Sequence, residues 1–222
     1  AFIEKNKIGI GAVVQMVRSG DVIPKIESVI KPADAPLMPN LEYEWNSSHV
    51  DIILKNVEEN KTVQMKKILA FVQTLDVPSF GAGNVKKVFD AGFNTIPKVL
   101  CMCKEDFMTI PGFKEKLSSK IHNGIREKFE NIGLAELMVA TNIFGRGLGR
   151  SRAKLILKNY PNILTSHASD EQKMRQVESL DGFGRKTAET FVPYIPQFME
   201  FIVKTNMMHK LEVKAPEIKT GH

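Results

Sequence analysis

With 222 residues, 43% of them hydrophobic and 25% charged, the chain can bury a substantial core, and its length allows one or two domains. A formal charge of +6 and an isoelectric point near 9.2 favour polyanionic partners without requiring them. No stretch holds the ~18 uncharged apolar residues that span a bilayer, so no membrane partner is expected, and Cys101 and Cys103 are too close in sequence to staple a domain and too few for a structural zinc. Two reduced thiols are expected, in a cytoplasmic protein or one working wherever a genome is replicated.

The chain opens Ala1-Phe2-Ile3-Glu4-Lys5 with no methionine and no apolar signal segment, and Ala1 is read as a cut end. Val13-Val14-Gln15-Met16-Val17-Arg18 and Val22-Ile23-Pro24-Lys25-Ile26-Glu27-Ser28-Val29 predict two strands around a Ser19-Gly20-Asp21 turn, with Pro24 confining the second to an edge or a bulge. Two strands need something to pair with. From Lys31 to Asn60 the sequence is irregular, punctuated by Pro32, Pro36 and Pro39 and holding the single tryptophan, Trp45, and it reads as a connector. Past Thr62 a helical pattern begins, with Val63, Ile68, Leu69, Val72 and Leu75 able to share one face.

Beyond that helix a unit recurs about every 33 to 35 residues. Val77-Pro78-Ser79-Phe80-Gly81, Ile110-Pro111-Gly112-Phe113-Lys114, Gly145-Arg146-Gly147-Leu148-Gly149 and Leu180-Asp181-Gly182-Phe183-Gly184 superpose without gaps. Four residues after each come Val85, Ser118, Ala153 and Ala188, and three later Val88, Ile121, Ile156 and Phe191. Small then large apolar residues predict a second helix packed closely on a first, the helix-hairpin-helix motif.

The central Phe80, Phe113, Leu148 or Phe183 is read as a plug under the turn. The flanking glycines supply positive φ and let a ligand oxygen approach the amides that open the second helix, where the helix dipole favours phosphate. Cations follow the turns: Lys116 and Lys120 after the second, Arg150, Arg152 and Lys154 after the third, Arg185 and Lys186 after the fourth, with Lys86 and Lys87 later in the first. Ordinary helical hairpins closed by glycine turns are the bland alternative, but turn closure alone does not call for cations after three of the four turns. Backbone contacts of this kind position a protein on DNA without reading sequence.

These features resemble the region of NAD-dependent DNA ligases that runs from the later strands of the oligonucleotide-binding (OB) fold through a four-copy helix-hairpin-helix domain. Arg18-Ser19-Gly20-Asp21-Val22-Ile23-Pro24 looks like that family's Arg-x-Gly-Asp-Val-Ile-Pro signature. The resemblance implies a mainly α fold with four helix-hairpin-helix repeats and a small N-terminal β portion, a partial OB-fold. It divides the chain into residues 1–35 (OB-fold part), 36–60 (linker), 61–203 (four hairpins) and 204–222 (a tail towards a further domain). It implies that Arg18, Val22 and Ile23 contact the backbone and sugars near a nick; core packing is the alternative for Val22 and Ile23, and turn stabilisation for Asp21. The expected DNA contacts in the hairpins are Gly81, Gly112, Lys114, Lys116, Gly147, Gly149, Arg150, Arg152, Gly182, Gly184, Arg185 and Lys186.

The sequence departs from the family in two ways. The family's four-cysteine zinc finger has no ligands between Lys31 and Asn60, so no zinc is expected and His49 reads as a surface imidazole. No Lys-x-Asp-Gly nucleophile occurs either, so no catalytic residue is assigned and the chain alone is expected to be inactive; NAD and Mg would serve the parent enzyme. The partners implied are nicked duplex DNA and an adenylation domain of the same protein, in a monomer engaged in DNA repair or replication. A stand-alone, non-enzymatic helix-hairpin-helix module and a helical protein-interaction domain are the competing readings.

Overall fold

The computed structural model describes residues 1–20, 23–56, 60–145 and 147–212, and the chain divides into two compact units, Ala1–Asn60 and Lys61–His222. It is mainly α-helical, and among the described residues the strands lie in the first unit.

The first unit holds a short helix α1 (Phe2–Lys5) and strands β1 (Val13–Ser19), β2 (Ile23–Lys31), β3 (Tyr43–Trp45) and β4 (Ile52–Leu54). β1 and β2 form an antiparallel two-stranded ribbon that pairs Val17 with Lys25 and Arg18 with Pro24, with register shifts at Val13/Val14 and Gln15/Met16. Both strands of such a ribbon are edges, so the missing amide of Pro24 costs no interior hydrogen bond. Gly9 is needed for close approach, because a Cβ there would lie 2.3 Å from the Ala35 carbonyl oxygen. Around it, Ala33 N–H donates to Lys7 O and Leu37 N–H to Ile8 O, both at 2.9 Å.

The second ribbon, β3 with β4, pairs Glu44 with Ile53 and lies where the sequence predicts only an irregular connector. Its turn is tied by Asn46, whose side-chain oxygen accepts from Val50 N, Asp51 N and Ser48 Oγ at 3.0–3.2 Å. His49 is exposed as expected, yet its ring lies 4.7 Å from that of Trp45, which also meets Tyr43 edge-on. No described residue of this unit is buried, and Ile23, Ile30, Val50 and Phe2 are more than half exposed.

The second unit contains α2 (Lys61–Thr74), α3 (Ala82–Asp90), α4 (Ile96–Leu100), α5 (Lys104–Met108), α6 (Glu115–Asn131), α7 (Leu134–Ala140), α8 (Arg150–Asn159), α9 (Asp170–Glu178), α10 (Arg185–Phe191) and α11 (Ile195–Lys204). Four pairs, α2 with α3, α5 with α6, α7 with α8 and α9 with α10, are joined by turns and pack on each other. Polar side-chain caps start two of the helices: Thr95 caps α4, and Ser169 caps α9 in a reciprocal box with Gln172. Ile68 and Val72 of α2 and Leu75 just after it are buried as the apolar spacing predicts, while Val63 and Leu69 are half-buried. Phe71, outside that predicted set, fills the centre against Phe129 and Phe201.

Every small and large position of the repeat is buried: Val85, Ser118, Ala153 and Ala188 are 0% exposed, as are Val88, Ile121 and Ile156. Phe191 completes the set at 1%. The first residues of the expected tail, up to 212, are described. Met207 is buried, its N–H donates to Ile202 O, and residues Met208–Leu211 form a 3-10 turn. Pro216 and Gly221 of that tail lie outside the described residues. Among the described residues no helix is long and apolar enough to cross a membrane, and Cys101 and Cys103 are both exposed free thiols.

Ser118 occupies the small-residue position that Ala153 and Ala188 fill in later repeats, and its buried hydroxyl has no hydrogen-bond partner. Ser118→Ala should therefore raise stability by about 1 kcal/mol. Ala188→Leu, which overfills the same kind of site, should lower it by about 1–3 kcal/mol. Thermal unfolding of the two variants reads both.

Candidate nucleic-acid interface

Three of the four turns share a backbone design. In the first, second and fourth, the N–H of the fourth residue donates to the carbonyl of the first: Phe80 to Val77 at 3.4 Å, Phe113 to Ile110 and Phe183 to Leu180 at 3.0 Å. Their third residues have positive φ, 61° at Ser79, 87° at Gly112 and 74° at Gly182. That bond and that φ, with Pro78 and Pro111 at the second position, are the marks of a type II turn. In the third turn the positive φ belongs to Gly145, and Arg146 lies outside the described residues.

The fifth residue is the N-cap of the following helix in all four: Gly81 of α3, Lys114 of α6, Gly149 of α8 and Gly184 of α10. All four have extended backbone, and none makes a side-chain cap bond. The first-turn amides of these helices thus receive no acceptor from their caps, unlike those of α4 and α9. A Cβ at Gly81, Gly149 or Gly184 would meet nothing within 4 Å, so folding does not demand glycine there. The plugs Phe80, Phe113 and Leu148 are buried as expected, while Phe183 is only half-buried.

Each turn is seated on the second helix of a neighbouring pair. In the first two pairs, a Cβ at Gly124 of α6 would lie 2.7 Å from the Pro78 ring, and Lys87 of α3 holds its Nζ 6.0 Å from the centre of the Phe113 ring. In the last two, a Cβ at Gly147 would touch Thr190 of α10 at 3.8 Å, and the Arg152 guanidinium of α8 lies 5.7 Å from the Phe183 ring. The sequence reading missed Lys87 and Gly124 in these roles, because they act across pairs separated by tens of residues. A glycine three places after the buried Ile121 on the same helix was the available signal for the second of them.

Gly81, Gly112, Gly147, Gly149, Gly182 and Gly184 are all exposed, as are Lys114, Lys116, Lys120, Arg150, Arg152, Lys154, Arg185 and Lys186. Some of these cations are already engaged. Arg185 Nε is 2.8 Å from Glu189, Lys154 Nζ is 3.2 Å from Glu136, and Arg152 donates to the Gly147 carbonyl at 3.0 Å. Among the described residues Lys114, Lys116, Lys120 and Lys186 make no ion pair. Lys154, with a smaller contribution from Arg150, holds the Glu136 carboxyl below its ordinary range.

In the first unit Arg18 is exposed on β1 and Ile23 is 67% exposed at the start of β2. Val22 and Asp21 lie outside the described residues. Among the described residues no group of three or more His, Cys, Asp and Glu side chains could hold a metal ion.

No family model matches the chain. It is 41% identical over 202 residues, 90% of its length, to a DNA ligase of Acanthamoeba polyphaga mimivirus, and 29% identical over 210 residues, 91% of its length, to a DNA ligase of Shewanella baltica. The chain is homologous to DNA ligases. It spans about a third of the length of these relatives, 32% of the first and 31% of the second.

Two glycines of this ligase-homologous chain separate a folding role from a surface one. Gly182→Val forces a branched side chain to a φ of 74° and should cost about 1–2 kcal/mol, whereas Gly184→Val, at a φ of −121°, should leave stability near that of the parent in denaturant titrations. The Glu136 pair sets a pH signature. A carboxyl whose folded pKa is depressed contributes stability that is present above its unfolded pKa and lost as pH falls through the folded one. Glu136→Gln should accordingly flatten the acid limb of the stability profile.

Proposed function

We propose that this chain is the DNA-binding portion of an NAD-dependent DNA ligase, holding duplex DNA on either side of a nick by its backbone and without sequence preference. In this reading the four helix pairs are helix-hairpin-helix motifs, and the first unit is part of an OB-fold whose Arg18, Val22 and Ile23 lie along the nicked strand.

The observation that carries the reading is the recurrence of one uncapped helix start, at Gly81, Lys114, Gly149 and Gly184, with exposed cations after three of the four. Unpaired amides at a helix N-terminus attract phosphate, and where the fifth residue is glycine the backbone can be approached without hindrance. Homology to ligases over nine-tenths of the chain supports the enzyme reading over a stand-alone binding module. A protein-interaction domain would leave the exposed Lys114, Lys116 and Lys186 without a purpose. Nick sealing, NAD and Mg belong to the proposal for the whole protein; these residues bind and orient DNA and supply no nucleophile.

Binding of nicked duplex should weaken steeply with salt, the logarithmic slope growing by about 0.9 for each phosphate engaged. Gly184→Val should reduce affinity in a chain of unchanged stability. A flat salt response, or a folded Gly184→Val chain that binds like its parent, overturns the proposal.

A further inference from the structure

Arg152, one of the cations that the sequence assigns to DNA, also makes two contacts within the protein. One nitrogen donates to the carbonyl of Gly147 in the third turn, at 3.0 Å, and the guanidinium lies 5.7 Å from the Phe183 ring of the fourth. Phe183 is the one plug its own helices leave half-open; Phe80, Phe113 and Leu148 are 2–5% exposed. The guanidinium shields part of that ring, which stays half-buried with Arg152 in place. A planar, weakly hydrated cation suits the task, since it can stack on a ring while its edge donates to a carbonyl.

We propose that Arg152 is a positioning residue that joins the third and fourth turns, so that both engage one duplex in a fixed relative arrangement. This rests on the DNA-binding reading above. The carbonyl contact uses one of the five guanidinium N–H donors and the ring contact uses its face, so together they tie the third turn to the fourth within the protein itself. Gly147 has a second neighbour in the fourth pair, Thr190 of α10, which lies 3.8 Å from where a Cβ on Gly147 would stand. The counterpart in the first two pairs, Lys87 over Phe113, is weaker on chemical grounds, because its ammonium cannot stack and Phe113 is already only 4% exposed.

The test uses the full 222-residue chain and has two arms. In the free protein, amide exchange at Gly182, Phe183 and Gly184 should quicken about 3- to 10-fold in Arg152→Met, with Gly112 and Phe113 unchanged; this is the range expected for losing one cation–ring contact. With nicked duplex, Arg152→Met should bind about 3- to 10-fold more weakly, with a salt slope changed by far less than the ~0.9 of one phosphate. Adding Phe183→Leu should cost little more, because coupled residues are not additive. Arg152→Lys keeps the charge and guards against a misfolded first variant, and it should not restore binding.

A slope reduced by about 0.9, binding restored by Arg152→Lys and unchanged exchange would overturn the proposal and make Arg152 a direct phosphate contact. Quickened exchange in a chain whose parent has no affinity for DNA would instead overturn the nucleic-acid reading, leaving Arg152 as a link between turns.

Discussion

The second unit depends on a contradiction that each turn has to resolve within five residues. The fourth side chain must leave water, as Phe80, Phe113 and Leu148 do, while the backbone of the fifth residue stays at the surface to begin a helix. In the first, second and fourth turns a type II turn achieves this by reversing the chain through one positive-φ residue, which points the plug inwards and the next peptide outwards. The buried small residue four places later then lets the second helix come close enough to hold the plug. Without that proximity the apolar side chain would remain in solvent and the helix start would have no fixed direction. The exposed amides are thus a by-product of hydrophobic closure that a polyanion can exploit.

The electrostatics of this surface are moderated from within. Glu189 and Glu136 engage Arg185 and Lys154, leaving Lys114, Lys116 and Lys186 as cations without an internal carboxylate among the described residues. Ion pairs this exposed are worth little in stability, so their main effect is on how readily a cation changes partner. Such a surface can exchange one set of anions for another at small net cost, which suits a protein that holds DNA by many weak contacts.

Much of the helical repeat was legible in the sequence because its determinants are local. The spacing from Ile110 through Phe113 to Ser118 and Ile121 is set by one turn and two turns of helix, and residues at such distances show their pattern directly. What could not be read depends on contacts between distant segments. Lys87 meets Phe113 and Gly124 meets Pro78 across separate pairs, and Glu136 meets Lys154 across a turn. The β3–β4 ribbon was hidden for a different reason: three-residue strands are too short to display alternation, and the Asn46 knot that ties them is a side-chain device with no periodicity. In the first unit the strands at Val13–Ser19 and Ile23–Lys31 were legible, but nothing in their pattern disclosed that no described side chain there would be buried.

The reciprocal seating of turns has a consequence for how such a chain can change over time. Because the first pair's turn rests on the second pair's helix and the second pair's turn on the first's, excision of either would strip its mate of cover and present apolar side chains to water. The third and fourth pairs are bound in the same manner. Insertions and losses in this architecture should therefore be tolerated two hairpins at a time, which makes the doublet, rather than the single repeat, its heritable building block.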